Sequence, residues 1–190
     1  MKQRIIRSLK LVGASVSVLV VLTAGWAGYL HLSGNFHAVE DGAVYRSGQL
    51  SGAELSSRIR ENGILTIINL RGNNAGSPWY DDEMKASAAA GVQHIDFPIS
   101  ADRELTREEV VQLAKFLEGS NRPILIHCKA GADRSGLVSA LYKLLIKNRP
   151  PEEAAAQLSF RYGHFPWLGS RTVAMDRTFA RIASHVPLTQ

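Results

Sequence analysis

Residues 124–136 constrain this chain more than any other stretch. Ile124-Leu125-Ile126 is a short apolar run of strand type, and Leu137-Val138-Ser139-Ala140-Leu141 is a helical pattern. Between them lies His127-Cys128-Lys129-Ala130-Gly131-Ala132-Asp133-Arg134-Ser135-Gly136, a tight glycine-marked loop that holds the only cysteine of the chain. A strand that enters a helix through so short a loop aims several backbone N–H groups at one point, and the helix dipole adds partial positive charge there. Arg134 adds a planar fork that grips two oxygens of a phosphate together. The same field favours the thiolate of Cys128, a nucleophile placed beneath the bound group. Gly131 suits a position where φ must be positive for the amides to curl inward. Ser135 is expected to donate to the sulfur. The bland alternative is a structural cysteine and a surface arginine beside an ordinary turn.

The rest of the chain supplies elements of the matching kind. Ala43-Val44-Tyr45-Arg46 reads as a strand followed by a turn at Ser47-Gly48-Gln49, with Gly34-Asn35-Phe36 a short approach to it. Ser51 and Glu54 form a capping box for a helix to about Glu61, closed by Asn62-Gly63. Ile64 to Leu70 is a continuous apolar run of the buried parallel-strand type. Ser77-Pro78 starts a second helix with Asp81, Asp82 and Glu83 in its first turns, running to Gly91. His94 to Ile99 alternates as a strand does, and Thr106 with Glu109 caps a third helix ended by Gly119. After the central loop a helix reaches about Asn148 and stops at Pro150-Pro151. Further helices are expected over Glu152–Phe160 and about Ser170–Ser184, with the aromatic loop Arg161–Trp167 between them. Strands alternating with helices predict a single α/β domain over 31–190, its mostly parallel central sheet of four to five strands flanked by helices.

The N-terminus is different in kind. Lys2, Arg4, Arg7 and Lys10 make residues 1–10 basic, and residues 11–30 carry no charge at all. About 20 apolar residues span a bilayer as a helix, and Trp26 and Tyr29 stand near the far end, where aromatic belts form. The basic flank predicts a transmembrane signal-anchor with its N-terminus in the cytoplasm and the remaining chain on the periplasmic, extracytoplasmic side of the inner membrane. A cleaved signal peptide, leaving a soluble periplasmic protein, and a buried soluble helix are the rival readings. The formal net charge is +5, yet with those four residues set aside 18 basic residues face 17 acidic ones. That balance, with no basic–aromatic patch, gives no reason to expect nucleic acid as a partner. A single cysteine excludes an internal disulfide and fits either side of the membrane.

The Cys-x5-Arg-Ser spacing of 128–135, with His127 before it and Gly136 after, resembles the signature of the cysteine-based protein tyrosine phosphatases, and most of all their compact dual-specificity branch. Tyr45-Arg46-Ser47-Gly48-Gln49 also resembles that branch, particularly its bacterial and fungal-type members. The resemblance covers about Phe36 to Ser184. It implies an α/β phosphatase fold and hydrolysis of a phosphate monoester through a cysteinyl-phosphate, with Cys128 as nucleophile and Arg134 and the 129–134 loop (Lys129, Ala130, Gly131, Ala132, Asp133) on the phosphoryl oxygens. It implies phosphotyrosine substrates, with phosphoserine and phosphothreonine as further ones, on a membrane or envelope protein. The alternative is a lipid phosphatase of phosphatidylglycerophosphate or phosphoinositide type, with a phospholipid as partner. A catalytically dead phospho-binding module and a rhodanese-type sulfur transferase are more distant readings.

The leaving oxygen needs a proton. Asp102 lies in the loop leaving the preceding strand, where the family keeps its mobile acid, although the Trp-Pro-Asp form of the larger relatives is missing. Asp133, within the loop, and Asp96, at the strand, compete for the role. His127 is expected to buttress the loop by hydrogen bonding, and Lys129 is either a substrate contact or a solvated surface residue. Arg71 and the Arg161–Trp167 loop are candidates to line the pocket, with core packing the competing role for the aromatics. His94, His164 and His185 show no metal-ligand spacing, so no metal and no cofactor are expected.

Overall fold

The computed structural model describes residues 2–185. Met1 and the last five residues of the expected 31–190 domain lie outside the described residues, as do the four basic side chains of the 1–10 segment. The chain divides after Ser33 into two units.

The first unit is one helix, α1 (Lys2–Leu32). Its stretch Ser15–Leu32 has a mean hydropathy of 1.5 and none of it is buried, which makes it long and apolar enough to cross a membrane; a leader sequence meets the same test. Two of its hydroxyls are satisfied within the helix, Ser17 Oγ donating to Gly13 O and Thr23 Oγ1 to Leu19 O.

The second unit is built on a five-stranded sheet. In chain order it holds β1 (His37–Glu40), β2 (Val44–Ser47), α2 (Gly52–Asn62), β3 (Thr66–Asn69), α3 (Pro78–Ala89), β4 (Gln93–Asp96), α4 (Arg107–Gly119), β5 (Ile124–His127) and α5 (Asp133–Leu141). A π-turn (Tyr142–Ile146), α6 (Pro151–Ala155), a 3-10 turn (Phe160–Tyr162) and α7 (Val173–Ala183) complete it. The strand order is β1-β2-β5-β3-β4, parallel throughout except for β1 at the edge. This is the mostly parallel α/β fold expected.

All four residues of β5 are buried, as its unbroken apolar run requires of a central parallel strand. Their alternation divides the core. Ile124 and Ile126 face α4, α5 and α7 through Leu113, Leu137 and Met175, while Leu125 faces α2 and α3 through Leu55, Ile59 and Ala86. The register sets Ser47 of β2 and Asn69 of β3 opposite His127. Three strand ends thus stop at one level, and the loops beyond them form the mouth where ligands bind in parallel sheets.

Several expectations shift. β1 was not foreseen, because it shows no alternation: of its four residues only Val39 is buried. The 94–99 strand ends at Asp96, though Phe97 and Ile99 still donate to Asn69 O and Leu70 O. The helix expected over 152–160 stops at Ala155. The Gln157 carbonyl, which a longer helix would use in its own ladder, instead accepts from Arg46 at 2.7 Å. The helix after the central loop changes to a π-turn at Tyr142.

A core divided in this way predicts a sharp contrast along α4. Leu113→Ala, at a fully buried position, should cost about 2–5 kcal/mol in urea unfolding, whereas Val111→Ala, two residues away on the exposed side, should stay within about 0.5 kcal/mol.

Candidate active site

Five residues lie between β5 and α5, and the carbonyls of the last four, Lys129 to Ala132, are held from outside the loop. Gln49 N–H donates to Lys129 O at 3.1 Å, and Asn35 Nδ2 donates to Ala130 O at 2.9 Å. Arg46 Nη2 donates to Gly131 O at 2.7 Å and to Ala132 O at 3.0 Å. In a planar trans peptide the N–H points opposite to the C=O. The amides of Ala130, Gly131, Ala132 and Asp133 therefore turn to the other side, toward a shared centre. The Gly131 N–H, 3.3 Å from Cys128 Sγ, marks that centre as the sulfur's. Gly131 adopts φ +72°, and a Cβ there would meet Gly48 N at 2.4 Å. Only glycine fits.

Cys128 is 3 % exposed, at the floor of this cradle, and its N–H donates to Ser47 O at 3.4 Å. Arg134 opens α5. Its Nη1 donates to Leu70 O at 3.1 Å and Ile99 O at 3.3 Å, while Nε and Nη2 have no partner among the described residues. One edge of the fork is thus fixed to the ends of neighbouring strands and the other is left for a ligand. Ser135 departs from expectation: its hydroxyl donates to Ser47 O at 3.3 Å rather than to the sulfur, because that carbonyl projects from the adjacent strand end. Lys129 is exposed, and its ammonium makes no bond among the described residues.

Beneath the loop lies Arg46, 0 % exposed, which also donates through Nη1 to Gln157 O and Oε1 and lies over the Tyr162 ring at 4.2 Å. No carboxylate pairs with it among the described residues. Burial pulls its pKa down to about 10, and Tyr162, Cys128 and Asp133 oppose that fall. It remains a cation at neutral pH.

The three aspartates separate clearly. Asp96 accepts from Asn69 Nδ2 at 2.8 Å and Tyr80 Oη at 2.5 Å, and burial followed by that bond pushes the tyrosine up to about 12. Asp133 is 2.7 Å from His164 Nδ1, whose Nε2 meets Asp176 at 2.9 Å. Asp102 sits exposed in the loop after β4, its N–H donating to Ser100 Oγ at 3.1 Å and its carboxylate 3.8 Å from Arg171. Asp96 and Asp133 are committed to structural bonds, and Asp102 has the loosest tie.

His127 does buttress the loop. Its Nε2 lies 3.0 Å from Glu83 Oε1, which also meets His94 Nε2 at 2.7 Å, and Glu83 Oε2 accepts from Gln49 Nε2 at 2.6 Å. Burial favours the protonated Glu83, but His127, His94 and Gln49 outweigh it and hold its carboxyl well below the usual range. Glu83, His94 and His127 offer three ligand atoms within 4.8 Å of one another. Both ring nitrogens reach the same carboxylate oxygen, Glu83 Oε1, at 2.7 Å and 3.0 Å. Arg71 donates through Nη1 to Gln49 Oε1 at 2.8 Å and lies 3.3 Å over the Trp79 ring. Of the aromatic loop, Tyr162 is core, whereas Phe165 and Trp167 are exposed and packed edge-on at 4.9 Å.

Arg46, Gln49, Asn35 and Glu83 were missed as working residues. Arg46 and Gln49 stood inside the noticed Tyr-Arg-Ser-Gly-Gln stretch, but only the fold brings them under residues 129–132. Glu83 was read as one of three helix-start acids, with nothing to separate it from Asp81 and Asp82.

A family described as DSP-PTPase phosphatase fused to NAD+ kinase matches residues 31–173. The dual specificity protein phosphatase TpbA of Pseudomonas aeruginosa is 30% identical over 80 residues, 41% of this chain and 36% of that protein. Inositol diphosphatase DSP5 of Arabidopsis thaliana is 31% identical over 118 residues, 58% of this chain and 54% of that protein. This chain therefore spans between about a third and about half of the curated relatives it matches. In fold it resembles crystalline TpbA (TM-score 0.61, 18% identity, 80% of this chain and 92% of that one) and Tk-PTP (TM-score 0.63, 17% identity, 80% and 98%).

Two expectations follow. Gly131→Ala should weaken binding of inorganic phosphate by at least about tenfold in titration calorimetry, since the cradle must open to admit the methyl group. The second concerns His164. Burial lowers its pKa, but Asp133 and Asp176 outweigh that and raise it above the ordinary 6.5. The clamp's stabilisation is then complete below that ordinary value and is lost as pH rises through the raised one. The urea midpoint should fall on that alkaline side, and fall less in Asp176→Asn.

Proposed function

Because this chain belongs to the DSP-PTPase phosphatase family, we propose that it hydrolyses phosphate monoesters, with phosphotyrosine proteins as its main substrates and phosphoserine and phosphothreonine as further ones. The observation that carries this reading is the outward hold on the 129–132 carbonyls, which leaves four amides and the free edge of Arg134 around the Cys128 sulfur.

In the first step the Cys128 thiolate attacks phosphorus and the P–O bond to the leaving group breaks. The loop amides and Arg134 stabilise the equatorial oxygens, where charge is spread in the transition state. Asp102 gives its proton to the departing oxygen, and its loose tie to Arg171 lets it follow the substrate. In the second step Asp102 takes a proton from water, water attacks the cysteinyl-phosphate, and the S–P bond breaks to release phosphate and thiolate. The Ser135 hydroxyl, once released from its bond to Ser47 O, serves the departing sulfur. Lys129 and Asp133 border the pocket, the first as a mobile cation and the second as the tie to His164.

The Ser15–Leu32 helix, with basic residues before it, supports a membrane anchor that leaves the phosphatase domain on the periplasmic side, near phosphorylated envelope proteins. TpbA of Pseudomonas aeruginosa, similar in fold, was crystallised as a Cys-to-Ser variant in complex with pTyr, which supports the protein substrate. The exposed Lys129, with no partner among the described residues, and the inositol diphosphatase relatives favour a second reading, in which a phospholipid or inositol phosphate is the substrate of the same chemistry.

The test uses the full chain in detergent with an aryl phosphate and excess chelator. Cys128→Ser should abolish turnover. Asp102→Asn should lower kcat by about 10²-fold or more with KM little changed. Full activity in Cys128→Ser would discard the mechanism, and a panel of phosphopeptides and phosphorylated lipids separates the two substrate readings.

A further inference from the structure

Arg71 is a cation that the proposed chemistry does not use. It follows Leu70, whose N–H donates to His127 O at 2.9 Å and whose carbonyl holds Arg134 at 3.1 Å. Its own side chain is tied to Gln49, the residue whose N–H holds Lys129 O. Arg71 is thus bracketed by bonds to both ends of the catalytic loop; burial and Arg134 disfavour its charge, and Glu83 and then Cys128 favour it. The guanidinium carbon lies 3.3 Å over the Trp79 ring centre. Only Nη1 is engaged; its other donors have no partner among the described residues, and no carboxylate pairs with it.

A reacting phosphoryl group presents three equatorial oxygens. Four inward amides and the free edge of Arg134 already supply those oxygens with donors. A further guanidinium beside them is surplus for one phosphate, and it repels Arg134 unless an anion lies between or beside the two.

We propose that Arg71 anchors a second anion subsite beside the phosphoryl pocket, selecting substrates whose leaving group carries another anionic oxygen group, phosphate or carboxylate, next to the scissile phosphate. A planar fork with its edge free suits either group bidentately. Trp79 fixes the ring of donors and lowers the entropy lost on binding. The bond broken is unchanged; Arg71 acts on recognition. The inference rests on the phosphatase reading, but its test does not need turnover.

Binding of methylenediphosphonate and of methylphosphonate to the full chain in detergent is compared by titration calorimetry. The diphosphonate should bind at least about tenfold tighter, as one added charge-assisted contact implies. Arg71→Gln should remove most of that advantage and Arg71→Lys should keep part of it, because a point charge replaces the fork. Phenyl phosphate and 2-carboxyphenyl phosphate, compared by kcat/KM, form the second arm. A preference for the carboxylated ester extends the subsite to carboxylates, and its absence beside a diphosphonate advantage narrows it to phosphate. Equal binding of the two phosphonates by the wild-type chain overturns the inference even if the Arg71 variants do not fold, as does an advantage that survives in folded Arg71→Gln. Absence of any phenyl phosphate hydrolysis counts instead against the phosphatase reading.

Discussion

The structure of the site depends on one buried guanidinium. Arg46 donates to two successive carbonyls of the 128–132 loop and to the backbone and side chain of Gln157, with an aromatic face against it and no counter-ion among the described residues. Removing a cation from water is costly unless its hydrogen bonds are replaced. Here they are replaced by backbone oxygens, which a cation draws strongly. The Gly131 and Ala132 carbonyls turn down toward Arg46 for that reason, and the amides that follow them turn up. The anion cradle is the opposite face of a cation's solvation shell.

The same logic runs through the neighbouring layers. Gln49 and Asn35 repeat for Lys129 and Ala130 what Arg46 does for Gly131 and Ala132. The buried Glu83 carboxylate carries the counterpart charge, shared between His127, His94 and Gln49. Positive groups surround the sulfur while the negative ones are kept a shell away, engaged in bonds. An incoming dianion meets donors that are already aimed, which is how preorganised electrostatics lowers a barrier.

Much of this was legible in the chain. The capping boxes Ser51–Glu54 and Thr106–Glu109 both form as read, because a cap is a local arrangement of neighbours. The strand–loop–helix at Cys128 was legible for the same reason, since a short loop leaves few paths. β1 was not, because its burial comes from pairing with β2 and not from its own pattern. The roles of Arg46 and Glu83 were hidden because they act across 85 and 44 residues of sequence, on Gly131 and His127. Ser135 was misplaced by one bond: its sequence position puts it near the sulfur, but only the register of β2 against β5 brings the Ser47 carbonyl within its reach.

The long reach of these bonds has a consequence for how the protein matures. The signature peptide does not bend itself: its carbonyls wait for partners from residues 35, 46 and 49, which the chain brings home only when the sheet closes. A half-folded molecule has the cysteine and the arginine but no receptor. An oxyanion in the surroundings therefore finds only the finished protein and, by mass action, draws the population toward it. The pocket around Cys128 thus exists only with its long-range partners in place.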